Sequence, residues 1–229
     1  MSSASVQTLT AEKPSSSLYI IGVLSLVSTI CGMIIVFAYT FTMQPIARNL
    51  EIITNAAVSQ VIPGGERQAA FAILPNGELK PAGNASGSGP KLYAVYDGAG
   101  KLLGVAIEAS GPGYGDVVSV MYAYSPDKQA VIGFKLIDAK ETPGLGDKIG
   151  KDPSFLANFN ELEAKPADAG LEHPITTVKH GTKANPWEID GISGATVSSN
   201  AVGRIINESA QKMAPLIQRN LDRIKKGAS

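Results

Sequence analysis

The run of hydrophobic and polar positions divides the chain into unlike parts. Residues 1–17 are polar and Ser-rich, the composition of a disordered segment. Residues 18–41 (LYIIGVLSLVSTICGMIIVFAYTF) carry no charge at all. As a helix this run reaches about 36 Å, enough to cross a hydrocarbon core of about 30 Å. Tyr19 and Tyr39 stand at its two ends, as interfacial aromatics do. The run is too long for the apolar region of a cleaved signal peptide, and no small-x-small cleavage site follows Phe41. It predicts a single transmembrane helix. Lys13 and Glu12 before it, and Arg48 and Glu51 after it, leave the charge rule almost nothing with which to set orientation. Over 42–64, Ile46, Leu50, Ile53, Ala57 and Val61 recur every three or four residues. That spacing predicts an amphipathic linker helix, stopped by Pro63-Gly64-Gly65.

Past residue 65 the period shortens. Residues 66–90 hold Pro75-Asn76-Gly77 and a Gly/Ser-rich run at 83–90, and read as turns and surface loop. Residues 91–96 and 102–110 are short apolar stretches around Asp97-Gly98-Ala99-Gly100, the pattern of a hairpin. Residues 117–124 and 130–139 repeat it around Ser125-Pro126-Asp127. Consecutive hairpins predict an antiparallel sheet. A short helix is predicted at 153–163 with Phe155, Leu156, Phe159 and Leu162 inward, and a short strand at 175–179. Residues 197–226 keep helical spacing, with Pro215 expected to kink or split the helix. The fold class is α+β: an N-terminal transmembrane helix, then a domain over 65–229 with a mainly antiparallel sheet and flanking helices.

Composition narrows the function. Twenty basic and twenty acidic residues balance to zero net charge, which gives no footprint for nucleic acid. Cys31 is the only cysteine, so no intrachain disulfide is possible, and the Cys/His patterns that hold zinc or iron–sulfur clusters are absent. An electron-carrying role would need an organic cofactor. The chain has no Walker run, no Gly-x-Gly-x-x-Gly after a strand and no Ser–His–Asp set, hence no nicotinamide or hydrolase site of its own.

Three glycine-rich runs carry the candidate chemistry. Asp190-Gly191-Ile192-Ser193-Gly194-Ala195-Thr196 stands directly before the last helix, followed by Val197-Ser198-Ser199. By local chemistry it is either a capped helix start or a phosphate site at free helix N–H groups, with the Thr196 hydroxyl placed in it. Glu141-Thr142-Pro143-Gly144-Leu145-Gly146 reads alone as a tight turn after a strand. Its backbone N–H groups and Thr142 hydroxyl suit a polar ring edge or a phosphate, and Leu145 suits an apolar ring face. Glu141 either accepts a hydrogen bond from a ligand or pairs with Lys140 or Lys148. Gly111-Pro112-Gly113-Tyr114-Gly115-Asp116 is a third loop, either a plain turn or part of a ring pocket. Trp187 is either a stacking partner or a core anchor, and His173 and His180, without partners at metal spacing, read as surface residues.

The first run resembles the attachment motif of covalent-flavin domains, Asp-Gly-x-(Ser/Thr)-Gly-Ala-Thr, found in the G subunit of Rnf electron-transport complexes and the C subunit of the sodium-pumping NADH:quinone oxidoreductase. Glu141-Thr142-Pro143-Gly144-Leu145-Gly146, followed by Asp147-Lys148-Ile149, resembles the second signature of that family in its Rnf form. The resemblance spans residues 18–212. It implies FMN carried as a phosphoester on Thr196. It further implies a cofactor surface drawn from Ser193, Gly194, Ala195, Ser198, Glu141, Thr142, Gly144, Leu145, Gly113 and Tyr114. The Gly115-Asp116 continuation departs from the Ser-Gly common in Rnf G subunits, which leaves Asp116 without a carried-over role. The implied function is electron relay within a membrane-bound, ion-translocating ferredoxin:NAD oxidoreductase of the Rnf type. The implied partners are the other subunits of that complex and a flavin transferase using FAD and a divalent metal. The implied location is the bacterial inner membrane, with a cytoplasmic N-terminus and the flavin domain on the outer, periplasmic side. The alternatives are the C subunit of the sodium-pumping quinone reductase, or a membrane-tethered module that binds FMN non-covalently.

Overall fold

The computed structural model describes residues 17–74, 77–81 and 91–227. The polar N-terminal residues 1–16, the turn residues 75–76 and the Gly/Ser-rich loop lie outside them. The chain divides into two compact units, Met1–Glu51 and Ile52–Ser229. In the first, the helix α1 (Ser17–Val61) begins, and its stretch Ser17–Met43 has a mean hydropathy of 2.6 with none of it buried. The hydroxyls of Thr29, Thr40 and Thr42 donate to carbonyls one turn back, so they add no unsatisfied polar group to the apolar surface.

The second unit contains the end of α1 and a seven-stranded sheet. Chain order introduces β1 (Arg67–Ile73), β2 (Leu79–Pro81), β3 (Lys91–Tyr96), β4 (Leu102–Pro112), β5 (Val117–Ser125) and β6 (Ala130–Ala139). Then come α2 (Pro153–Ala157), β7 (Leu162–Glu163), β8 (Pro166–Ala167), β9 (Gly170–Leu171), β10 (Thr176–Val178), β11 (Glu188–Asp190), α3 (Thr196–Arg219) and α4 (Leu221–Lys226). The sheet order is β2-β1-β3-β4-β5-β6-β7 with every pair antiparallel. This is the sheet the hairpin pattern predicts.

Both faces of the sheet are covered within this unit. On one face Val105, Ile107, Val120, Tyr122 and Tyr124 pack against Val202, Ile205, Ile206 and Ile217 of α3. On the other, Ala57, Val58, Val61 and Ile62 at the end of α1 pack against Val95, Ala106, Met121 and Ala123. Strand residues two apart point to the same face, which is why Ala106 and Ile107 join different clusters. Earlier in the linker segment, Ile46 and Ile53 are exposed.

Three local readings differ from the sequence pattern. Residues 67–73 form a strand where loop chemistry was expected; only Phe71 in it is fully buried, so it carries no alternation to read. The helix expected at 153–163 ends as α2, passes through a 3-10 turn at Asn158–Asn160 and becomes β7. Asn158 stops it by turning its side chain to the backbone of Asp190, 32 residues away. The break expected at Pro215 comes instead at Asn220, whose amide donates to the carbonyls of Leu216 and Gly77. Pro215 itself is buried, and core packing carries the helix past its missing N–H. Trp187 is half-buried and stacks on His173, with centroids 3.8 Å apart.

Candidate functional site

Sheet register builds the site. Pairing of β4 with β5 runs out to Pro112↔Val117, so residues 113–116 form the tip of that hairpin, closed by Gly113 N–H to Asp116 O at 2.8 Å. Pairing of β5 with β6 places Val118 opposite Ala139. The loop that follows β6 therefore emerges beside the 113–116 tip. Its next residues are the Glu141 run.

Glu141 joins three segments. Its Oε1 accepts the Tyr114 N–H at 3.0 Å, and its Oε2 accepts the Ser198 hydroxyl at 2.6 Å. Of the two sequence options for this carboxylate, pairing with Lys140 is not taken up: Lys140 bonds Asp116 at 2.9 Å instead. That lysine, with the Val117 N–H, holds the Asp116 carboxyl below its ordinary range. Two glycines close around the clamp. A Cβ on Gly113 would lie 2.6 Å from Glu141 Oε1, and one on Gly146 would lie 2.8 Å from Ser198 Oγ. A side chain at either position would have to displace the Glu141 carboxylate or the Ser198 hydroxyl.

Two similar turns flank the clamp. Thr142 O accepts the Leu145 N–H at 3.1 Å, with Pro143 second and Gly144 third at φ +77°. Ile192 O accepts the Ala195 N–H at 3.1 Å, with Gly194 third at φ +82°. A positive φ at the third position is the type II requirement, and glycine meets it without strain. The first turn leaves Thr142, Gly144 and Leu145 exposed; the second leaves Ser193 and Gly194 exposed and buries Ala195.

The second turn delivers the chain into α3 without a cap. Ala195 occupies the cap position and offers no side-chain acceptor. Among the described residues the N–H groups of Thr196, Val197 and Ser198 have no acceptor, and the exposed Thr196 hydroxyl has no partner. The capped helix start is therefore not what this run forms. The segments around it carry exposed apolar side chains. Tyr114, Leu145 and Val197 are each at least half exposed, a rare state for large hydrophobics in this unit. Two loops and the first turn of α3 supply them, and the Glu141 clamp ties these segments together.

Several groups that shape the site escape sequence reasoning. Asp190 is structural: Oδ1 accepts the Gly181 N–H at 2.7 Å, and its own N–H donates to Asn158 Oδ1 at 3.0 Å. His180 Nδ1 lies 3.0 Å from Gly191 O and 3.3 Å from Asp190 Oδ2, so this histidine is anchored to the motif. Ser199 accepts the Ile192 N–H at 3.1 Å and donates to Ala195 O at 2.9 Å, stapling the loop from within. Its signal in the sequence was only a second serine after the motif. Arg204 donates to Pro112 O, tying α3 to the end of β4. On the His180 side of Thr196 lies a small pocket of about 160 Å³.

Residues 113–211 match the FMN-binding domain family. Among relatives, the G subunit of an ion-translocating oxidoreductase complex from Cereibacter sphaeroides is 27% identical over 90% of this chain and 90% of that protein. The G subunit of a proton-translocating ferredoxin:NAD(+) oxidoreductase complex from Clostridium ljungdahlii is 35% identical, covering 53% of this chain and 58% of that protein. The C subunit of a Na(+)-translocating NADH-quinone reductase from Pasteurella multocida is 34% identical, but over 49% of this chain and 42% of that protein. The fold matches the crystal structure of the corresponding C subunit from Parabacteroides distasonis, with a TM-score of 0.59 and 19% identity over 76% of this chain and 96% of that one. Residues 113–211 thus carry the likeness to the FMN-binding domain family, and the likeness to the G subunits of these ion-translocating complexes runs along nearly the whole chain.

Proposed function

We propose that this chain is the flavin-carrying G subunit of an Rnf-type complex, with FMN esterified through its phosphate to Thr196. The observation that carries this reading is the uncapped start of α3, where three free N–H groups and an exposed hydroxyl stand among segments that carry exposed apolar side chains. An uncapped helix start lacks about 1 kcal/mol that a side-chain cap would supply. A phosphate there meets both the N–H groups and the positive end of the helix dipole.

Each part of the chain has a role in this reading. Thr196 supplies the nucleophilic oxygen during maturation. It attacks the riboflavin-side phosphorus of FAD; the new P–O bond forms as the pyrophosphate P–O bond breaks, and AMP leaves with that electron pair while the hydroxyl proton passes to a base of the transferase. Leu145, Val197 and Tyr114 offer a bed to an apolar ring face, and the 141–146 turn offers backbone N–H groups to a polar edge. Ser198 serves indirectly, since its hydroxyl is spent on Glu141. Bound FMN accepts and releases one or two electrons, which suits a relay between iron–sulfur donors and other carriers. The other subunits of the complex are the donor and acceptor, and α1 anchors the domain on the outer side of the inner membrane. Against the C subunit of the quinone reductase stands the full-length likeness to a G subunit, together with the Gly146-Asp147-Lys148-Ile149 continuation.

The test is in-gel flavin fluorescence after denaturing electrophoresis, with intact mass, on chain made with and without a flavin transferase. The expected result is a fluorescent band heavier by one FMN less water, only with the transferase, and absent in Thr196→Ala. Thr196→Ser, which keeps a hydroxyl, is expected to retain part of the attachment. A dark band at the unmodified mass beside an active transferase would leave the non-covalent module.

A further inference from the structure

We propose that Lys179 and His180 form the donor wall of a phosphate subsite beside Thr196, holding the phosphodiester while the Glu141 side of the helix serves the ring. This rests on the assignment of a flavin phosphoester to Thr196 above. Neither residue belongs to any of the three glycine-rich runs, and topology alone brings them there.

The strands β10 and β11 pair in parallel, Thr176↔Glu188 through Val178↔Asp190. Parallel partners end on the same side. The residues just past β10 therefore meet the residues just past β11, and Gly191 N–H donates to Val178 O at 3.0 Å. Gly191 permits the approach, because a Cβ there would lie 2.8 Å from that same carbonyl. The pocket beside Thr196 is lined by Lys179, His180, Ser193, Gly194, Thr196 and Asn200 among others.

Its chemistry is one-sided. Lys179 has no ion-pair partner among the described residues. His180 is oriented by its Nδ1 contacts to Gly191 O and Asp190 Oδ2, which leaves Nε2 as the free ring nitrogen. No carboxylate lines the pocket, and Asp190 is engaged by Gly181 and His180. Lys179, His180, the Asn200 amide and the Thr196 N–H thus form a set of donors without a competing acceptor charge. A phosphodiester carries one negative charge and two free acceptor oxygens, which fits that set.

The experiment is 31P NMR on full-length chain flavinylated by a transferase, comparing wild type with Lys179→Ala, Lys179→Arg and His180→Gln. The phosphodiester resonance of folded wild type is expected to be displaced from that of the same protein unfolded in urea. Lys179→Ala and His180→Gln should each lose at least half of that displacement, and Lys179→Arg should restore it. Lys179 is exposed and makes no ion pair among the described residues, so its loss does not threaten folding. A wild-type displacement kept intact in both Lys179→Ala and His180→Gln overturns the subsite while leaving the attachment at Thr196 in place. A wild-type chain that takes up no flavin from an active transferase overturns the attachment, and the subsite with it.

Discussion

At the scale of single residues, Glu141 carries the most structure. It accepts hydrogen bonds from two segments 27 and 57 residues away, and a carboxylate acceptor makes such bonds stronger than neutral ones. Glu141→Ala is expected to destabilise the domain by about 2 kcal/mol in urea unfolding and to loosen the three segments against one another. If flavin is esterified to Thr196 as proposed, its attachment should survive in this variant, while the fluorescence anisotropy of the attached ring falls. Glu141→Gln keeps an acceptor for Tyr114 N–H and should lose less. A contrast lies in the core. The Tyr122 hydroxyl bonds Ser209 at 2.8 Å, whereas the buried Tyr124 hydroxyl has no partner among the described residues. Tyr122→Phe should therefore cost about 1 kcal/mol, and Tyr124→Phe should be neutral or stabilising, measured by the same unfolding curves.

At the scale of elements, α2 shows how a short helix is held. Asp152 caps it, accepting the N–H groups of Ser154 and Phe155 at 2.9 and 3.1 Å, and Pro153 begins it. Asp152→Ala should cost about 1 kcal/mol. The Ser154 side chain, then the Phe155 N–H, hold this carboxyl below its usual range; the N–H of Ala184 does the same for Glu188. Carboxyls lowered in the fold stabilise it above their unfolded values, near pH 4, and that contribution disappears as pH falls through the folded values. A stability profile by thermal unfolding should therefore decline below about pH 4. The junction of α1 with the sheet is tighter still. A Cβ on Gly133 would strike the carbonyl of Val61, so Gly133→Ala should force α1 off the sheet at a cost of about 1–3 kcal/mol.

At the scale of the whole molecule, the two units call for different solvents. The exposed apolar surface of Ser17–Met43 is stable in lipid, while Ile52–Ser229 contains its own two-faced core. Full-length chain should sediment with membranes and resist extraction by high salt, and a chain lacking residues 1–51 should stay in the supernatant. The core also sets an alkaline limit. Burial raises the Tyr122 phenol and pushes that of Tyr124 up to about 12. Phenols raised in the fold leave stability intact below the unfolded value, near pH 10, and remove it as pH rises beyond. Unfolding at fixed urea should grow steeper above pH 10, and Tyr124→Phe should lessen that rise.

The anchor, the antiparallel sheet and the motif loops were legible in the chain because each depends on local properties. An uncharged run of helical length, short apolar stretches bounded by turn residues, and glycines where φ must be positive are all written residue by residue. β1 was not legible, since a half-covered Ala-rich strand shows no alternation and is defined by its pairing with β2 and β3. The assembly of the site was not legible either. The Glu141 clamp exists because β4–β5 and β5–β6 register brings two loop ends together, and His180 reaches the motif because β10 and β11 run parallel. Contacts across 27, 57 or 11 residues depend on how strands are ordered and staggered. That ordering is settled by burying both faces of the sheet at once, an energy that belongs to the packed core and to no local stretch of residues.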